Sequence, residues 1–339
     1  MRYNGVCYDV GRVMMGQNWR PAFDAAEVDR ELAIIKDDLH CNAVRICGQD
    51  LDRLTTAAGL AMDRGLAVWF CPELWDRAEA ETLAYIDEAA RRAQQVRQGR
   101  AGQLVLSVGS ELTLFMQGIV DGESVLARLQ HPTFWDRIRS GAHNIRLNAF
   151  LAEANAVARR SFKGAVTYAS VPLEDVAWDL FDVVCADLYR DVRIRDQFPS
   201  LLQRFTGLGR PVVITEFGCC TYRGAADAGG TGWAIVNPDV TPPRWNGVYV
   251  RDEGEQAHEI SEVLTILGDA GIDGAFVMTF ISPLLLTSGD PRYDLDMASY
   301  SLVKSYRDRC GDRYRGLPWD PKESFAAVAS YYAAHQGGR

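Results

Sequence analysis

The sequence predicts a single (β/α)8 barrel, a TIM barrel, spanning residues 1–339. Three observations carry that expectation. Short apolar or β-branched runs alternate with longer segments of helical period along the whole chain, the pattern of repeated βα units. Eight such runs occur, the count of a closed barrel rather than of an open doubly wound sheet. No Pro/Ser-rich linker, low-complexity tract or step in composition divides the 339 residues, so one domain accounts for the length.

The strand candidates are Tyr3 to Tyr8, Ala43 to Cys47, Ala67 to Cys71, Leu104 to Val108, Ala165 to Ala169, Val183 to Asp187, Val212 to Thr215 and Ala275 to Phe280. Between the first two, Val28, Leu32, Ile35 and Leu39 fall on one helical face, and Asp24 with Glu27 forms a capping box ahead of them. The next helices run from about Leu51 to Arg64 and Ala78 to Gln98, each followed by a glycine suited to a left-handed C-terminal position. A long helical stretch from Phe134 to Arg160 has a break signal at Gly141. A short helix is expected near Leu173 to Trp178, and longer ones near Pro199 to Leu208, Glu255 to Ala270 and Lys322 to His335. Two loops are unusually long: Cys219 to Glu253 after the seventh strand and Ile281 to Asp320 after the eighth. In a barrel both stand on the catalytic face.

Composition narrows the function. With 36 Lys plus Arg against 45 Asp plus Glu, the formal charge is −9, which argues against a surface built to track nucleic-acid phosphates. No apolar run reaches the length of a membrane span, and Met1-Arg2-Tyr3-Asn4-Gly5 is no signal sequence. The expected location is therefore cytoplasmic. The eight cysteines show no CxxC pair and read as buried reduced thiols. The five histidines lack HxxxH or HxH spacing, so no catalytic metal is expected. One glycine in Asp9-Val10-Gly11-Arg12 is too few for a dinucleotide fingerprint, and no cofactor is expected.

Two apolar strands end in a carboxylate. The fourth reads Leu104 to Val108, then Gly109-Ser110-Glu111; the seventh reads Val212-Val213-Ile214-Thr215, then Glu216-Phe217-Gly218. The glutamates lie 105 residues apart, about three βα steps. Two carboxylates across a barrel mouth suit acetal cleavage, which needs a proton for the leaving oxygen and a nucleophile or stabiliser for the sugar carbon. Glu73, after Cys71-Pro72 on the third strand, is the rival to Glu111 and a candidate substrate contact; Asp9 and Asp187 are further rim acids, read as structural.

Together these motifs resemble the clan of retaining (β/α)8 glycoside hydrolases, whose acid/base glutamate ends strand four and whose nucleophile glutamate ends strand seven. Thr215-Glu216-Phe217-Gly218 looks like the nucleophile motif, and Gly109-Ser110-Glu111 like the acid/base motif. Asn42-Ala43-Val44-Arg45-Ile46 is similar to the strand-two run whose arginine keeps the nucleophile ionised, and Asp182-Val183-Val184 through Leu188-Tyr189 to strand six, whose following tyrosine hydrogen-bonds the nucleophile. The resemblance covers nearly the whole barrel and implies Glu111 and Glu216 as catalytic, with Arg45 and Tyr189 supporting Glu216.

From the residues alone, Arg45 is also readable as an interior arginine paired with any acid, and Tyr189 as a rim aromatic. Two positions depart from the clan. Ser110 stands where an asparagine usually contacts the sugar 2-hydroxyl, and Phe280 stands near the usual strand-eight tryptophan. Both are expected to touch substrate, Phe280 by stacking. Trp19, Trp75, Phe115, Trp233 and Trp245 are the other candidate sugar platforms. The expected activity is retaining hydrolysis of an oligosaccharide or small glycoside. The alternatives are a catalytically silent carbohydrate-binding barrel and a transglycosylase on the same scaffold.

Overall fold

The computed structural model describes residues 1–335 apart from Met15 and Pro238; the last four residues of the expected 1–339 domain lie outside it. Eight parallel strands close into a barrel: β1 Tyr3–Asp9, β2 Ala43–Gly48, β3 Ala67–Pro72, β4 Leu104–Ser110, β5 Ala165–Ser170, β6 Val184–Asp187, β7 Val212–Phe217 and β8 Gly274–Val277. Each strand pairs with its sequence neighbours, and β1 closes the ring by pairing with both β2 and β8. The strands are buried almost throughout, as a sheet covered on both faces requires. Trp69 fills the interior near the strand starts, packed against Tyr3 and Phe276.

The covering helices are α1 Ala25–Asp37, α2 Leu51–Asp63, α3 Glu79–Arg97, α4 Ala142–Ser161, α5 Phe198–Thr206, α6 Glu253–Asp269 and α7 Glu323–Ala334. Asp24 caps α1 by accepting from the backbone N–H groups of Ala26 and Glu27. The expected 134–160 helix is two, Phe134–Ser140 and α4, separated at Gly141 with φ +72°.

No α-helix covers the barrel between β5 and β6 among the described residues. The expected helix at Leu173 to Trp178 is replaced by extended chain and a short 3-10 turn, Trp178–Leu180. The reason lies on α4, whose asparagines satisfy that segment's backbone. Asn144 accepts from Asp175 N, Asn148 accepts from Ala177 N and donates to Asp175 O, and Asn155 donates to Leu180 O. Backbone groups bonded this way have no need of helical partners.

The two long loops fold against each other. Trp245 donates its indole N–H to Pro291 O, Arg251 pairs with Asp294 and Asp296, and buried Lys322 reaches Asp296 at 3.0 Å. Seven cysteines are buried and Cys310 is exposed; all are free. No helix among the described residues is long and apolar enough to cross a membrane.

Candidate active site

The C-terminal ends of the strands gather a compact set of charges. Glu216 lies near the end of β7, only 7% exposed. Arg45, fully enclosed on β2, donates through Nη1 to Glu216 Oε1, and Arg12, from the loop after β1, donates to the same oxygen at 2.7 Å. Tyr189 donates its hydroxyl to Glu216 Oε2 at 3.0 Å. Burial works against the charge on Glu216, yet the two guanidinium groups outweigh it and hold the carboxyl at about 2. Burial, then the neighbouring charge of Glu216, keeps the Tyr189 phenol protonated and able to donate.

Glu111 follows directly on β4. Its backbone is left-handed, with φ +51° and ψ +40°, a conformation costing a non-glycine residue on the order of 1–3 kcal/mol. The surroundings hold it there. Glu111 N donates to Ala169 O, and the next two N–H groups, of Leu112 and Thr113, are taken by Tyr168 OH and Glu174 Oε1. Gly109 precedes it at φ +152°, where a side chain would press on Leu112. Burial, then the charges of Asp187, Glu216 and Glu174, raise the Glu111 carboxyl well above the ordinary range, with Arg12 acting against them.

One carboxylate oxygen each of Glu111, Asp187 and Glu216 lie within 4.8 Å of one another. That spacing would admit a hard cation, but Arg12 and Arg45 already supply the countercharge. Two neighbouring acids with opposed surroundings can divide acid and base work at one pH.

Comparison with protein-family models and with curated protein sequences gives no match. Solved structures do match. A GH113 β-1,4-mannanase superposes with TM-score 0.61 over 98% of this chain and 99% of its own, at 14% identity. The GH113 β-mannanase AaManA of Alicyclobacillus acidocaldarius gives 0.59 at 15% identity, over 98% and 97%. A β-glucuronidase of Parabacteroides merdae gives 0.60 at 14% identity, over 98% of this chain but 36% of that one. The chain has the fold of known glycoside hydrolases.

Within this barrel, the aromatic candidates separate. Trp75 stacks on Phe115 with ring centroids 4.2 Å apart, and Trp19 stands edge-on to Trp75 at 6.3 Å. Trp75 also lines, with Glu73, Tyr85 and Ser110, a cavity of about 10 Å³, room for about one water. Trp233 is half exposed on the 3-10 turn Gly229–Ile235, which packs on Tyr189 through Gly230. Trp245 serves the seam between the long loops, through its bond to Pro291 and its ring contact with Tyr249.

Three expectations change. Phe280 offers no face to a sugar: β8 ends at Val277, and the chain beyond clings to β1 through Thr279 Oγ1 and Phe280 N, both donating to Cys7 O. Its ring is therefore fully buried between Tyr8 and Trp319. Ser110 is 5% exposed and donates its single hydroxyl proton to Asp187 Oδ2 at 3.0 Å while accepting from Arg45 Nη2 at 3.3 Å, so it has no donor left for a 2-hydroxyl. Glu73 is enclosed beside Arg12, at 2.6 Å from Nε, and Arg45, at 3.6 Å from Nη2. It is an ion-pair partner beneath Glu216 rather than a group presented to substrate.

Arg12 is the residue the sequence did not single out. Its one available signal was position: a cation three residues past the end of a strand that closes with Asp9, whose carboxylate accepts the backbone N–H of Gly11 and Arg12.

Proposed function

We propose that the protein is a retaining glycoside hydrolase, cleaving an O-glycosidic bond through a covalent glycosyl-enzyme. The observation that carries this reading is the facing pair Glu111 and Glu216. Their nearest oxygens, within 4.8 Å, favour the separation of about 5–5.5 Å typical of retention over the 6.5–9.5 Å or so of inversion. Their surroundings suit opposite roles: Glu216 is held ionised to attack, and Glu111 keeps a proton to give.

In the first step Glu216 Oε bonds to the anomeric carbon as the bond to the leaving oxygen breaks, and that oxygen takes the Glu111 proton. In the second, Glu111 removes a proton from water, whose oxygen displaces the Glu216 ester. Arg12, Arg45 and Tyr189 keep Glu216 charged and oriented, and Trp75 with Trp233 supply aromatic faces for the sugar. Two structural neighbours are a β-1,4-mannanase and a β-glucuronidase, which favours a β-linked substrate here. Arg12 and Arg45 are both committed to carboxylates, which favours a neutral sugar over a uronate.

Glu216→Ala should abolish turnover, and azide should restore reaction of an activated glycoside, giving a glycosyl azide of inverted configuration. Near-wild-type hydrolysis by that variant without azide would remove Glu216 from the nucleophile role. Product analysis with an added alcohol distinguishes hydrolysis from transglycosylation.

A further inference from the structure

Asp187 is a buried carboxylate that the reaction above leaves unused. It ends β6, in register with Glu216 on β7, and its side chain is wholly enclosed. Thr215 Oγ1 donates to its Oδ1 at 2.6 Å, Ser110 Oγ donates to its Oδ2 at 3.0 Å, and Arg45 Nη2 lies 3.8 Å from Oδ2. Enclosed in this way it cannot reach a sugar, so whatever it does passes through its neighbours. One of them is Glu111, whose carboxylate has an oxygen within 4.8 Å.

The groups facing Glu111 are mostly acidic. Asp187 stands on β6, Glu216 on β7 and Glu174 in the loop after β5, against Arg12 from the loop after β1. Arg12 is itself bound to Glu73 and Glu216. Tyr168, on β5, adds a phenol that burial keeps neutral. Facing Asp187 are Arg45, Glu216, Ser110 and Thr215, with Tyr189 and the Cys185 thiol on its own strand and the loop beyond.

We propose that Asp187 is a positioning residue of an electrostatic kind: its fixed charge keeps the proton on Glu111 until the leaving oxygen takes it, and Ser110 and Thr215 hold that charge in place. The catalytic meaning of this role rests on the glycosidase reading; the coupling between the two carboxylates does not. Burial raises Asp187 to about 6 despite Arg45 and the two hydroxyl donors, so above that pH it is ionised. A second negative charge on the partly buried Glu111, so close, is then opposed. Asp187 also persists when Glu216 becomes an ester and loses its charge. In the second step it keeps Glu111 basic enough to accept a proton from water. This accounts for the serine at position 110, whose proton is spent on Asp187 rather than on substrate.

The test is a carboxyl ¹³C NMR titration of the full chain labelled at glutamate, with Glu111 assigned by its loss in Glu111→Gln. In Asp187→Asn the Glu111 resonance should titrate about one pH unit lower or more, a tenfold change in ionisation constant. An unmoved midpoint overturns the proposal. Wild-type protein gives a second check that needs no variant: the Glu111 signal should show an added inflection near pH 6 as Asp187 ionises, and a single clean step contradicts the coupling. Neither readout requires turnover, so a failed azide rescue would remove the glycosidase reading without touching this result. Where hydrolysis is measurable, the alkaline limb of kcat/KM should move down in Asp187→Asn, whereas a purely structural role would lower activity evenly across pH.

Discussion

The two sides of the barrel mouth are built on opposite principles. Around Glu216 the sequence places cations and a neutral donor: Arg12, Arg45 and Tyr189 all bond to one carboxylate. Around Glu111 it places burial and negative charge, from Asp187 and Glu174, on a backbone held left-handed. Identical side chains a few ångströms apart thereby acquire different protonation states. In the proposed reaction it is the environment, not the residue type, that assigns the roles.

That contrast can be broken from either side. On the acid side, Glu111→Ala should cost on the order of 10²–10⁴-fold in kcat/KM on substrates with poor leaving groups, and far less in the first step with an activated aryl glycoside. An equal loss on both would remove Glu111 from the acid role. On the nucleophile side, Arg45→Met should cost on the order of 10²–10³-fold. It should also move the acid limb of the pH profile upward, since Glu216 would keep one guanidinium instead of two. In the wild type the two limbs should lie far apart. Activity requires Glu216 ionised, which holds above about 2, and Glu111 protonated, which holds up to its raised value, so the bell should extend well above the ordinary carboxylate range. Tyr189→Phe, which removes the one bond to Glu216 that comes from an uncharged donor, should cost about tenfold or somewhat more. Phe280→Ala should leave KM unchanged while lowering stability by about 3–5 kcal/mol in a denaturant titration; a large KM effect would return Phe280 to the substrate face.

The sequence made the barrel legible because its strands are buried on both faces and interrupted by helices of clear period. Where it misled, backbone partners came from elsewhere in the fold. Residues 173–178 lack a helix because Asn144 and Asn148, some 30 positions earlier, take up their amide and carbonyl groups. Glu111 and Glu216 were legible as strand-end carboxylates, Arg45 and Tyr189 only through the resemblance to the clan, and the fold brings all four together. Arg12 carries no period or motif, and its partners Glu73 and Glu216 lie 61 and 204 residues away. Phe280 looked like a strand-end aromatic, but its side chain follows a backbone that bonds to Cys7 and turns into the core. Asp187 was visible as a rim acid; its proximity to Glu111 depends on β4 and β6 meeting across the mouth, which no local pattern records.

The most direct test of the central claim is to trap the first intermediate. Incubation with activated 2-deoxy-2-fluoro glycosides, followed by proteolysis and mass spectrometry, should find one added fluorosugar on the peptide carrying Glu216 and parallel loss of activity. A label on Glu111 or Glu73, or continued turnover with first-formed product of inverted configuration, would contradict the assignment of nucleophile and acid to these two poles.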